Sequence, residues 1–273
     1  MARFSGVRVT VAAGVSLSVR HTPGSAEPAF VLVHGLASNA RLWGEVAAVL
    51  AAAGHASYAV DLRGHGRSDL PEAGFDTATA AADVAAVIAS LELDRPIVAG
   101  QSWGGNVAVE LAGRHPDLVG ALALVDGGWI DLASEFGSWE ACEAALRPPD
   151  IDGMPADALR SRLRASHPTW SPAAVEATLA NLRVGPDGRV ARRLPIDRHM
   201  RIVRSMYDDP PSRFFPSLTM PVLLMPASAR ARFQAAVDAI PDATVHVYEG
   251  GDHDLHAEQP DRVAADLLSL VKP

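Results

Sequence analysis

Gly100-Gln101-Ser102-Trp103-Gly104 sets one hydroxyl between small residues, and Gly251-Asp252-His253 sets one imidazole near the far end of the chain. A serine hydroxyl at its ordinary pKa is a poor nucleophile, so it needs a base within hydrogen-bond reach before it can attack a carbonyl. His253 is the expected base. A carboxylate reaching the far ring nitrogen would then hold the imidazole in the right tautomer and stabilise the imidazolium. This is the chemistry of covalent acyl transfer, and it requires a fold that brings two remote segments to one place.

The elements that must do this can be read from apolar patterning. Val7 to Val11 and Val15 to Val19 alternate apolar and polar residues around Gly14, the pattern of a β-hairpin with one buried face. Phe30 to Val33, Tyr58 to Val60, Ile97 to Ala99 and Leu122 to Val125 are instead short, nearly continuous apolar runs, as expected of parallel strands buried on both faces. Between them, Arg41 to Ala53, Thr77 to Leu91 and Gly104 to His115 are alanine-rich with apolar residues three and four apart, which predicts helices. Strand and helix therefore alternate, giving a doubly wound, mostly parallel sheet with right-handed crossovers and chemistry at the carboxyl ends of its strands. From Gly127 to Met220 the rhythm breaks under ten prolines between 148 and 216. It resumes with a strand Val222 to Met225, a helix near Ala231 to Ile240, a strand Thr244 to Tyr248 and a helix Gln259 to Val271.

Ser102 thus follows a buried strand and precedes a helix, a context that gives the G-x-S-x-G pattern its meaning. A sharp strand-to-helix turn needs small residues at 100 and 104. The hydroxyl then projects at a helix N-terminus, where the dipole and free N–H groups favour developing negative charge.

Four segments together resemble the α/β-hydrolase superfamily, in its lid-bearing branch of esterases, lactonases, perhydrolases and carbon–carbon bond hydrolases. They are Val31-Leu32-Val33-His34-Gly35, Asp61-Leu62-Arg63-Gly64-His65-Gly66-Arg67-Ser68-Asp69, the elbow at Ser102, and Gly251-Asp252-His253. The resemblance spans nearly the whole chain. It implies an α/β-hydrolase fold with a mostly parallel eight-stranded sheet, residues 1–126 and 221–273 forming the core and 127–220 a helical lid inserted after the sixth strand. His34 and His65 fall in turn signatures to which the resemblance gives structural roles.

One departure concerns the acid. Most relatives carry an aspartate after the seventh strand, whereas here that strand runs Val222-Leu223-Leu224-Met225-Pro226-Ala227-Ser228 with no carboxylate before the helix. Asp126, at the end of the sixth strand, also reaches the active edge, and some relatives place their acid there. Asp238, inside a predicted helix, and Asp252, adjacent to the histidine, are alternatives with awkward geometry. His253, His256 and Asp252 could be drawn as a metal site, but the spacing lacks a convincing third ligand and the serine needs a base; no metal or other cofactor is expected. His256 is expected to pack beneath the loop. The backbone N–H groups of Leu36 and Trp103 are the implied oxyanion donors, with their side chains as apolar walls.

The proline-rich segment carries Trp129, Trp139, Trp170, Met206 and Phe214 among its large apolar residues, and Trp129, Trp139, Met206 and Phe214 are the candidates for a roomy apolar pocket. It also holds twelve arginines between 147 and 213, most expected on solvated faces and one or two able to read a carboxylate. The expected function is hydrolysis of an apolar carboxylic ester or lactone through an acyl-enzyme on Ser102. Two alternatives stand beside it: a carbon–carbon bond hydrolase or acyltransferase using the same pair, and a hydrolase-fold receptor with negligible turnover. Dehalogenase and epoxide hydrolase relatives carry aspartate where this chain has Ser102.

With 32 acidic against 24 basic residues the chain has a formal charge of −8, which disfavours nucleic acid as a partner. Cys142 is the sole cysteine, so no internal disulfide is available; Met1 to Val11 shows no secretory pattern, and the longest apolar stretch, around Val46 to Ala53, is far below the roughly 20 residues a membrane span needs, so no membrane association is expected. A cytoplasmic protein is the expectation.

Overall fold

The computed structural model describes residues 4–227 and 232–271. The chain opens with β1 (Ser5–Ala12) and β2 (Val15–Thr22), an antiparallel hairpin, followed by β3 (Ala26–Val33), α1 (Gly44–Ala52), β4 (His55–Asp61), α2 (Thr77–Ser90), β5 (Ile97–Gln101), α3 (Trp103–Arg114) and β6 (Ala121–Val125). Then come α4 (Leu132–Phe136), α5 (Trp139–Leu146), α6 (Ala156–Ser166), α7 (Pro172–Leu179), β7 (Leu182–Val184), β8 (Val190–Arg192) and α8 (Ile196–Asp208). The chain closes with β9 (Val222–Met225), α9 (Gln234–Ala239), β10 (Ala243–Val245), α10 (Leu255–Glu258) and α11 (Pro260–Leu268). An eight-stranded sheet in the order β1-β2-β4-β3-β5-β6-β9-β10 is antiparallel at β1-β2 and β2-β4 and parallel elsewhere.

The continuous apolar runs are explained by the two faces they serve, because successive strand residues point to opposite sides. Phe30, Leu32, Ala99, Ala123 and Met225 go to the face covered by α1 and α11, against Val46, Leu50, Val263 and Leu267. Val31, Val33, Val98, Leu122 and Leu124 go to the other, against Val84, Ile88, Val107 and Leu111 of α2 and α3. Full burial of each large side chain contributes about 1.5–3 kcal/mol, so both faces are strongly specified.

β6 and β9 are neighbours in the sheet, and everything between them lies outside it. That segment contains five α-helices, a 3-10 helix at Pro211–Ser217 and the small antiparallel pair β7–β8, a hairpin its proline-broken sequence does not announce. α8 gives it a seam with the rest of the molecule: Met200, Ile202, Val203 and Met206 are buried in the core cluster of α2 and α3, and Thr77 N–H donates to Ser205 Oγ at 3.1 Å. The strand expected over Thr244 to Tyr248 is shorter as β10, although His246 and Tyr248 N–H continue the register onto Leu224 O (2.9 Å) and Pro226 O (2.8 Å). Ala231, where the next helix is expected to start, lies outside the described residues, and α9 runs from Gln234 to Ala239. Among the described residues no helix is long and apolar enough to cross a membrane.

Candidate functional site

β5 ends at Gln101 and α3 begins at Trp103, leaving Ser102 alone to make the turn at φ 53°, ψ −125°. Such a backbone costs a non-glycine residue about 1–3 kcal/mol and persists only where the surroundings enforce it. The enforcement is visible in two glycines. A Cβ on Gly100 would stand 2.2 Å from Gly104 O, and one on Gly104 would stand 2.5 Å from the carbonyl oxygens of Val33 and His34. The helix start is therefore pressed against both its own strand and the end of β3. Ser102 N–H donates to Val125 O at 3.0 Å, tying the turn to the last residue of β6.

Asp126 follows immediately, also at positive φ (40°). Its N–H donates to Met225 O (3.0 Å), its Oδ1 accepts from Ala227 N–H (3.0 Å), and its Oδ2 accepts from His253 Nδ1–H (2.7 Å). Both carboxylate oxygens are thus engaged, one by the backbone after β9 and one by the imidazole. His253 is half exposed. Burial pulls its pKa down, but the Asp126 hydrogen bond and the charges of Asp254, Asp126 and Asp252 outweigh that, and the pKa lies above the ordinary histidine value. Gln101 Nε2 donates to His253 O at 3.1 Å, so the strand that leads to Ser102 braces the histidine loop.

Ser102, Asp126 and His253 line one cavity of about 540 Å³, together with Leu36, Trp103, Trp129 and Met206. Among the described residues no hydrogen bond joins the Ser102 hydroxyl to His253. The loop after β3 passes close by, since a Cβ on Gly35 would be 3.0 Å from Ser102 Cβ. Two neutral histidines fix that loop. His34 Nδ1–H donates to Gly35 O (2.7 Å) while Nε2 accepts from Leu62 N–H (3.0 Å). His65 Nδ1–H donates to Arg63 O (2.9 Å) while Nε2 accepts from Ala37 N–H (3.1 Å). One ring nitrogen donates and the other accepts in each, so neither can take a second proton without losing a bond. Burial accordingly depresses their pKa values to about 4 and about 3.

The model of the alpha/beta hydrolase family matches residues 30–266. The chain belongs to that family. Among curated relatives, 2-(acetamidomethylene)succinate hydrolase of Mesorhizobium japonicum is 29% identical over 94% of this chain and 92% of its own. Lipase LipV of Mycobacterium tuberculosis is 31% identical over 92% of this chain and 96% of its own. Other matches are partial: with an uncharacterised protein of Mycobacterium tuberculosis the 38% identity covers 38% of this chain and 30% of that one. Among solved structures, E-2-(acetamidomethylene)succinate hydrolase superposes with a TM-score of 0.81 at 24% identity, covering 98% of this chain and 99% of that one. The thioesterase domain from the curacin biosynthetic pathway gives 0.78 at 24% identity, covering 97% and 99%. At that identity the likeness shows the fold alone.

In this alpha/beta hydrolase two pocket candidates from the sequence stand elsewhere. Trp139 packs edge-on to Tyr207 (5.7 Å between rings) beneath Arg204, and Phe214 fills the groove over Gly113 between Arg114 and Arg213. Both are large and apolar, but Trp139 is consumed by packing within its own segment and Phe214 by packing against α3. The cavity wall instead uses Ile130, Leu132, Leu146 and Val203, smaller side chains that no motif marks. Asp252 and Asp238 do not reach the imidazole ring of His253 by a hydrogen bond. Asp252 accepts from His167 Nδ1–H (2.7 Å) and from the His253 backbone N–H (2.7 Å), and Asp238 accepts from Gln234. His167, stacked on Trp170 at 4.0 Å, therefore latches the segment between β6 and β9 to the histidine loop. Nothing in the sequence marks it, because no spacing relates residues 167 and 252. His256 is fully buried against Trp43 (4.4 Å) with both ring nitrogens unpartnered, and its pKa falls to about 3.

Proposed function

We propose that this protein is a serine hydrolase that cleaves a carboxylic ester or lactone through an acyl-enzyme on Ser102, with His253 as base and Asp126 as its orienting acid. The observation that carries the reading is the 2.7 Å bond from His253 Nδ1–H to Asp126 Oδ2, made in the wall of the cavity that Ser102 enters from a strained turn. With Nδ1 committed to Asp126, Nε2 is the nitrogen free to take the serine proton.

In this mechanism Ser102 Oγ attacks the carbonyl carbon as His253 Nε2 removes its proton. The oxyanion is received by the N–H groups of Leu36 and Trp103, which have no partner among the described residues. Each such donor is worth about 2.7–4 kcal/mol in the transition state. His253 then protonates the leaving alkoxide, water attacks the acyl-enzyme under the same imidazole, and Ser102 departs with the returned proton. Residues 127–220 serve as a cap over residues 1–126 and 221–273, and Trp129, Ile130, Leu132 and Met206 give the acyl group an apolar wall. Arg232, in the same wall, is paired with Glu135 at 3.4 Å, which favours a neutral acyl group over a dicarboxylate.

The test is hydrolysis of p-nitrophenyl acetate and butyrate and of a simple lactone, with pre-steady-state detection of p-nitrophenolate. A burst equal to the enzyme concentration, absent in Ser102→Ala, is the expected result. Inertness toward all of these, with turnover of a vinylogous diketone, would move the activity to carbon–carbon bond cleavage. Ligand binding without any turnover would make the chain a receptor.

A further inference from the structure

Four arginines away from the Ser102 cavity converge on one cleft. Arg20 on β2, Arg41 in the turn before α1, Arg67 in the loop after β4 and Arg193 just after β8 line a cavity of about 380 Å³, with Asp61 and Gly66 in its wall. No guanidinium of the four makes a hydrogen bond or ion pair to a described residue; Arg20 rests only on the face of Phe4, 4.6 Å away. Elsewhere in this chain Arg8, Arg63, Arg160, Arg198 and Arg213 each hold a carboxylate.

The one carboxylate in the cleft does not offset four charges. Asp61 is buried and its oxygens are taken by backbone donors, Oδ1 by Ala40 N–H (2.8 Å) and Oδ2 by Arg67 N–H (2.9 Å). The guanidinium groups therefore act on one another. Burial and then the charges of Arg41 and Arg67 lower the pKa of Arg20, with Asp61 opposing; burial, Arg183 and Arg67 do the same to Arg193. Unrelieved repulsion in a chain of net charge −8 is a cost that an incoming anion removes. Planar forks at several angles suit the oxygens of phosphate better than a single carboxylate.

We propose that this cleft binds a multiply charged phosphate group. The seam it belongs to suggests how such a group could serve the enzyme. The Ser102 cavity shares His199 with a second cavity of about 230 Å³, and that cavity shares Gly66, Leu182 and Arg193 with the arginine cleft. The phosphate is therefore either carried on the leaving group of an extended acyl substrate or supplied by a free phosphate compound.

The experiment is calorimetric titration of the full chain with inorganic pyrophosphate at low ionic strength. Saturable binding is expected, weakened by added NaCl and weakened about ten-fold or more in Arg20→Gln/Arg193→Gln. Arg41→Gln/Arg67→Gln, at exposed positions, gives the same reading should the first pair fail to fold. Ser102→Ala should bind pyrophosphate as the parent does, so the outcome is independent of hydrolysis. Absence of saturable binding, or equal affinity in parent and both double variants, would overturn the proposal. Butyryl-coenzyme A then separates the sources: competition between pyrophosphate and its hydrolysis assigns the phosphate to the substrate, and unaltered hydrolysis assigns it to a free ligand, either result leaving the cleft as the site.

Discussion

His253 stands between opposing influences: partial burial favours the neutral ring, while Asp126, Asp254 and Asp252 favour the cation, and the carboxylates win. Under the proposed mechanism the neutral ring is the active form. Activity therefore falls as pH drops through the raised pKa, and kcat/KM should show an acid limb with an apparent pKa above 6.5, the ordinary histidine value. Asp126→Asn removes one charge and, with its carbonyl oxygen held by Ala227 N–H, turns an amide N–H toward His253 Nδ1, which favours the wrong tautomer; the limb should shift to lower pH and kcat should fall about 10⁴-fold, the scale seen when a triad carboxylate is replaced. A pH–rate profile of both proteins checks it; a near-parent rate in Asp126→Asn would move the orienting acid elsewhere. Asp126 could be singled out from sequence because it ends a buried apolar run whose position in the sheet is fixed. The wall residues Ile130, Leu132, Leu146 and Val203 could not, because apolar side chains in a broken segment look alike until packing decides which face the cavity.

At the scale of elements, the turn at Ser102 depends on absent side chains. Gly100→Ala forces a methyl to within 2.2 Å of Gly104 O, so chemical denaturation should show a loss of at least about 2 kcal/mol, in addition to any loss of activity. Arg63 tests a different kind of support. Its Nε and Nη2 donate to Asp83 Oδ2 and Oδ1, both at 2.7 Å, joining the loop after β4 to α2 in a buried fork. Burial pushes the Asp83 pKa up, with Arg63 opposing. Arg63→Met strands that carboxylate and should cost about 3–5 kcal/mol, while adding Asp83→Leu should recover most of it. Melting curves of the single and double variants decide between these outcomes. The strands of the sheet were legible because a strand buried on both faces cannot hide its composition. The β7–β8 hairpin was not, since three-residue strands with Arg183 and Arg192 in them carry no periodic signal.

Across the whole molecule, the sheet brings Ser102 from the end of β5, Asp126 from the end of β6 and His253 from beyond β10 to one edge, and the segment between β6 and β9 is tied to the rest of the chain at two places. α8 packs into the core cluster of α2 and α3 at one. At the other, His167 reaches Asp252 beside the histidine itself. His167→Phe keeps the stacking on Trp170 but removes the latch, so protection of residues 250–258 against hydrogen exchange should fall while the melting temperature changes little. An unaltered exchange pattern would show that the contact does not restrain the loop.

If His253 makes Ser102 nucleophilic, exposure to a fluorophosphonate at neutral pH followed by intact-mass and peptide-level analysis should find one adduct per chain, located at Ser102 and lost in His253→Ala with the fold preserved by circular dichroism. An unmodified parent protein, or labelling of Ser102 that proceeds equally fast without His253, would contradict that activation.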